Sequence, residues 1–171
     1  MLKFSGVVMG LAVAVAAAPL IAAPASAAPI GPDATICEKG DSPSVLVRVP
    51  AFKARSGTLR VQIYGNNPAD FLAKGQYVKR IDLPVTANGP MNVCVGLPKA
   101  GNFAVAVRHD VDGNGKSSWN DGGGFSRNPN LTLFKLKPDY KDVVVSVGQE
   151  TKVMEVYINY RQGLAIKPMK P

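Results

Sequence analysis

Hydrophobic and polar residues alternate in short stretches along most of this chain, and glycine or proline bounds each stretch. Ser44 to Ala51 carries Val45, Val47 and Val49 on one side. Thr58 to Tyr64 puts Leu59, Val61 and Ile63 inward and Arg60, Gln62 and Tyr64 outward. A period of two marks a half-buried strand, because successive side chains leave opposite faces of the pleat. Tyr77 to Leu83, Met91 to Leu97, Asn102 to Val107, Leu131 to Leu136, Asp142 to Val147 and Lys152 to Tyr160 read likewise. The pattern predicts an all-β chain: a single antiparallel β-sandwich, Ig-like or transthyretin-like, of about seven to eight strands. One short helix is expected over residues 68–74, capped by Asn67, opened by Pro68 and stopped by Gly75, with Phe71 and Leu72 as core contacts.

The ends of the chain read differently. Lys3, the apolar run from Val7 to Ala18 and the small residues Ala25-Ser26-Ala27 have the order of a secretory signal, with cleavage expected after Ala27. The run is short and alanine-rich for a membrane anchor, so the mature protein is expected to carry no transmembrane anchor and to be periplasmic or secreted. Residues 28–43 then form an N-terminal segment, residues 44–161 the sandwich, and residues 162–171, rich in proline and lysine, a flexible tail. Export bears on the two cysteines. In an oxidising compartment Cys37 and Cys94 are expected to pair, closing a loop of roughly sixty residues worth about 4 kcal/mol on the chain-entropy model. With Val93 and Val95 facing the core, Cys94 faces away, so the bridge straps the N-terminal segment across the outside of a sheet.

The formal net charge is +8, and loss of Lys3 leaves 19 basic against 12 acidic residues. Such a balance suits a glycan or an anionic envelope polymer as partner. No basic helix or aromatic-basic interleaving of the nucleic-acid-binding kind is present, and nucleic acid is not expected.

The chemistry is concentrated in one stretch, His109 to Asp121. Asp110, Asp112 and Asn114 alternate, and Gly115 follows, which is the opening of a calcium loop. The remaining oxygen positions fall on the Lys116 backbone carbonyl, Ser118 and Asp121. Ca2+ is therefore the expected ion, held weakly because Asp121 is shorter than the usual bidentate Glu. An ion-free turn built from the same residues is an equal alternative, since Asp, Asn and Gly also satisfy their own backbone.

The order Leu59-Arg60-Val61-Gln62-Ile63-Tyr64, Phe71, Gly101 to Lys116 and Gly124-Phe125-Ser126 resembles a bacterial exported family, domain-of-unknown-function family 2141. The likeness runs from about Leu59 to Tyr160. It implies a secreted or periplasmic β-sandwich and brings no established activity. Two departures thin the expected ion shell: the segment before Gly-Phe-Ser is only Ser117 to Gly123, and Ser118 stands where an acidic residue is common.

Function classes rank accordingly. A single histidine, His109, without a nucleophile motif leaves no catalytic residue to assign, and a hydrolase around it is the weakest reading. A binding module would use an exposed Trp119 on a mobile glycine-rich loop, with His109, Arg108, Tyr64 and Tyr77 as further contacts; the alternative, slightly favoured, is that Trp119 folds back as a lid on the sandwich end. A structural envelope protein with no ligand beyond a cation is the remaining reading.

Overall fold

The computed structural model describes Leu2 and residues 27–171. The predicted signal segment therefore lies almost wholly outside the described residues. The fold is an all-β sandwich of two sheets, with ten strands and two short helices.

In chain order the elements are α1 (Ala34–Lys39), β1 (Ser44–Val49), β2 (Thr58–Tyr64), β3 (Lys79–Pro84), β4 (Met91–Gly96), β5 (Gly101–Asp110), β6 (Gly122–Phe125), α2 (Tyr140–Val143), β7 (Val144–Val147), β8 (Thr151–Glu155), β9 (Asn159–Gln162) and β10 (Ala165–Pro168). The smaller sheet runs β4-β1-β8, and β1 and β8 pair in parallel, a departure from an antiparallel sandwich. In the larger sheet the order is β10-β9-β6-β5-β2-β3. Strand β5 is long enough to take β2 along one edge and two strands in succession along the other. β6 pairs residues 106–109 and β7 pairs residues 101–104.

The inward sets predicted from alternation meet between the sheets. Val45, Val47, Val49, Val93 and Val95 come from the smaller sheet; Leu59, Val61, Ile63, Val105 and Val107 come from the larger one. Burial of these branched side chains is the main stabilising term of the fold. The N-terminal segment is strapped outside the smaller sheet as expected. Cys37 in α1 is joined to Cys94 in β4 with their Cα atoms 5.9 Å apart. Asp33 accepts the Gly96 N–H at 2.8 Å and pairs with Lys79.

Several expectations give way to the structure. Residues 131–136 form no strand; they make a tight turn closed by mutual Thr132–Lys135 backbone bonds, and they cap the outer face of the larger sheet. The expected helix shortens to a 3-10 turn over Pro68–Asp70, capped by Asn67 through its bond from the Ala69 N–H. Tyr64 is not outward to solvent. It is 3% exposed in a second apolar cluster with Ala106, Phe125, Leu131 and Val143. The supposed tail is not loose, because β10 closes a hairpin on β9.

The glycine run is also not a loop. Gly122 and Gly124 lie in β6 facing the core, where a Cβ would come within 2.4 Å of Ile158 and Tyr160 side chains or 2.5 Å of the Tyr157 carbonyl. Gly123, on the opposite face, has its nearest such contact at 3.9 Å. Ser126 ends the strand as a clasp: its hydroxyl accepts the Val105 N–H at 3.0 Å and donates to the Val143 carbonyl. Gly124→Ala is expected to cost about 1–3 kcal/mol through overpacking, whereas Gly123→Ala stays within about 0.5 kcal/mol of the parent. Denaturant melts of the two variants check the asymmetry.

Candidate functional site

Strand alternation sorts the end of β5 into two environments. His109 faces the core and is fully buried; its neighbours Arg108 and Asp110 face the other way. The His109 Nε2 lies 2.8 Å from the Ser56 carbonyl, which can only accept, so Nε2 carries the proton. Nδ1 then accepts the Tyr160 hydroxyl at 2.6 Å. The ring also meets Phe52 and Tyr160 edge-on. Burial pushes the His109 pKa below its ordinary value and the Tyr160 hydroxyl up to about 12. His109 is thus a neutral core link between β5, β9 and the Ser56 loop, and the structure does not bring it to the surface where a ligand would bind.

The Asp-rich loop leaves β5 from this anchor. Gly57, at φ +73°, lets the neighbouring loop press against it; a Cβ there would overlap the Asp110 carbonyl. Asp110 is buried, and its Oδ2 accepts the Gly115 N–H at 2.8 Å and the Arg108 guanidinium at 2.7 Å. Burial alone would raise the Asp110 pKa; the Gly115 amide and Arg108 outweigh it and hold the carboxyl below its ordinary value. Asp112 caps Asn114, and Asn114 in turn accepts the Lys116 N–H. Asp121 closes the loop by accepting the Val111 N–H at 3.1 Å and the Ser118 N–H at 2.9 Å.

Of the six predicted ion ligands, Asp110, Asp112 and Asp121 converge, each offering one carboxylate oxygen within 4.8 Å of the others. Asn114 and Ser118 direct their side-chain oxygens to the loop's own amides. Asp110 Oδ1 is buried and has no hydrogen-bond partner among the described residues. An orphaned carboxylate oxygen beside two further carboxylates fits a hard, oxygen-seeking cation.

The loop carries Trp119 to the rim of a cleft of about 410 Å³ on the outer face of the larger sheet. Trp119 is 75% exposed, and the Arg161 guanidinium lies over its ring at 4.0 Å. The register puts Arg60 of β2, Arg108 of β5, Gly123 of β6 and Asn159 of β9 in one cross-strand row, with Arg161 nearer the loop. Arg60 is held by Asp82 and Arg108 by Asp110. Among the described residues Arg161 has no carboxylate partner and bonds only the Gly163 carbonyl. The far end of the cleft is apolar: Tyr64, Phe125, Leu131 and Leu72.

Of the predicted ligand contacts, Trp119, Arg108 and Tyr64 line this cleft, while Tyr77 and His109 do not. Sequence reasoning missed Arg161, Asn159, Leu72 and Ile166. Asn159 fell within one long expected strand over Lys152 to Tyr160 and Arg161 at the very end of the expected sandwich, and only the β6–β9–β10 pairing carries them to the cleft.

The fold and cleft define a β-sandwich whose larger sheet presents a cationic, partly apolar trough beside an Asp-rich loop. The chain belongs to the family described as "Uncharacterized protein conserved in bacteria (DUF2141)", which matches residues 47–155. No curated protein and no solved structure matches the chain. The matched span holds the Asp-rich loop and most of the cleft; Asn159 and Arg161 lie beyond it.

Because the folded His109 resists protonation and the unfolded chain does not, its contribution is complete above about pH 6.5 and is lost as pH falls below it. The loss approaches about 1.4 kcal/mol per pH unit until the folded pKa is reached. His109→Gln is expected to be less stable near neutrality and to show a flatter loss between about pH 7.5 and about pH 5.5 than the parent. Equal slopes in denaturant melts of the two proteins would refute this account.

Proposed function

We propose that this chain is an exported, non-catalytic binding module of the cell envelope, in which the Asp-rich loop, clipped by a calcium-type cation, presents Trp119 beside a cleft for an anionic ligand. The observation that carries the reading is the pairing of an exposed Trp119 with Arg161, an arginine that has no carboxylate partner among the described residues, at the mouth of that cleft. Exposed aromatic faces cost free energy in water and gain it on a partner, and Trp and Arg are the residue types that most often anchor interfaces. An anionic envelope component, an acidic glycan among them, is the partner class that the positive net charge supports.

The cation's part rests on the three converging carboxylates and the orphaned Asp110 oxygen. Asp110, Asp112 and Asp121 would hold it. The ion would supply charge neutralisation and a fixed loop, not chemistry on a substrate. The loop also has a full set of internal bonds of its own, which favours modest affinity, about 10⁻⁴ to 10⁻³ M. The burial of His109 supports a non-catalytic reading over a hydrolase.

Two measurements test the proposal. The melting temperature of the oxidised protein should rise by several degrees between chelator and about 5 mM calcium, and Asp112→Ala should abolish the rise. No shift would leave the loop a metal-free turn. Trp119 emission should shift when polygalacturonate, an anionic glycan, is added, and Arg161→Gln should weaken that response several-fold. An unchanged Trp119 spectrum together with no polymer binding would refute a glycan ligand for the cleft.

A further inference from the structure

The cleft is not uniformly polar, and its two ends ask for different chemistry. At the loop end Arg60, Arg108 and Asn159 share one row with Arg161 beyond them. Toward the other end, Tyr64, Ala106 and Phe125 form the floor. Leu131, Leu133 and Leu136 line it from the turn after β6, and Leu72 lines it from the loop after β2. Small residues, Ala106 and Gly123, keep the floor low between them.

Leu72 is held at φ +60°, a left-handed conformation that a bulky side chain adopts only under constraint. Turn bonds on both sides, from the Ala73 N–H to Asp70 and from the Gln76 N–H to Ala73, keep the segment folded in this way. The strained backbone therefore holds a leucine side chain at the cleft. Strain of this kind collects where a side chain must be presented.

An anionic glycan would satisfy the arginines but would lay many of its hydroxyls against Leu72, Leu131, Leu133 and Leu136, with Gln62 and Lys137 the hydrogen-bonding side chains beside them. A purely apolar ligand would leave the Arg161 charge unanswered. We propose that the cleft takes a monomeric single-chain anionic lipid, a long-chain fatty acid, with its carboxylate at Arg161 and Arg108 and its acyl chain along Leu72, Leu131 and Phe125. The cleft volume of about 410 Å³ falls within the range of small-molecule sites. This inference rests on the proposed binding role of the same cleft and names its ligand class.

Equilibrium dialysis of the intact oxidised protein against labelled fatty acids, below their micellar concentration, tests it. Affinity should rise roughly fourfold for each methylene added from butyrate upward until the cleft is full. Cetyltrimethylammonium, with the same tail and the opposite charge, should not compete. Gly123→Leu should fill the floor and abolish palmitate binding while the protein still folds, because a side chain there meets open space. Leu72→Gly should weaken palmitate at least fivefold while the protein still folds, since glycine accepts the left-handed backbone.

Equal affinity for butyrate and palmitate, or full palmitate binding by both variants, overturns the inference. If polygalacturonate binds in an Arg161-dependent way and palmitate does not, the lipid assignment fails and the binding module stands. If neither binds, both fail.

Discussion

The close approach of β6 to the chain segment Val156 to Tyr160 is the constraint on which the rest of this structure depends. Two glycines make it possible. At Gly122 and Gly124 any side chain would collide with Tyr160, Ile158 or the Tyr157 carbonyl. Their absence of side chains lets β6 lie between β5 and β9 and continues the larger sheet to β10. Without that strand Arg161 and Asn159 would not share a surface with Arg108. The cleft is a consequence of backbone packing before it is a matter of side-chain chemistry. A glycine run that composition alone would assign to mobile linker is here a closely packed strand of the sandwich.

Strand alternation then divides the work at the end of β5. Three consecutive residues, Arg108, His109 and Asp110, all have polar side chains, but only the middle one enters the core. A buried imidazole is tolerable because both nitrogens are satisfied, by the Ser56 carbonyl and the Tyr160 hydroxyl. That link fixes the strand end directly beneath the Asp-rich loop. The loop inherits a rigid base, and Asp121 returns the chain to β6 through its two backbone bonds. Trp119 thus stands on a pinned turn and not on a free arm.

Much of this was legible in the sequence, and the reasons for the failures are specific. Period-two alternation identified β1, β2, β4 and the core face of β5, because each has branched apolar residues on one side. The Cys37–Cys94 strap followed from compartment and parity. Leu131 to Leu136 failed because Leu131 packs on the outer face of a sheet, in a second cluster, while the rest of the segment turns and stays largely exposed. Tyr64 failed for the same cause: a residue on the outer face counts as exposed only if nothing covers that face. The site was legible as a loop and not as a cleft. Asp110, Asp112, Asp121 and Trp119 are near in sequence, whereas Arg60, Arg108 and Arg161 meet only through strand order, which no local pattern encodes.

The loop and the cleft are joined by one ion pair, and the join has consequences for both. Asp110 is the carboxylate nearest the core in the Asp-rich loop, and Arg108 is the guanidinium at the cleft's centre row; they hold each other at 2.7 Å. Each therefore reduces the other's pull on an outside charge. A cation taken up by Asp110, Asp112 and Asp121 would compete with Arg108 for the same carboxylate and free the guanidinium toward the cleft. An anion drawn to Arg108 would in turn leave Asp110 more open to a cation. Linkage would make such an effect reciprocal, each occupant strengthening the other by the same factor. Arg108 neutralises Asp110 in place, at the cost of an affinity lower than three free carboxylates would give. A single residue pair, set two positions apart on one strand face, thus ties the acidic loop to the basic row of the cleft.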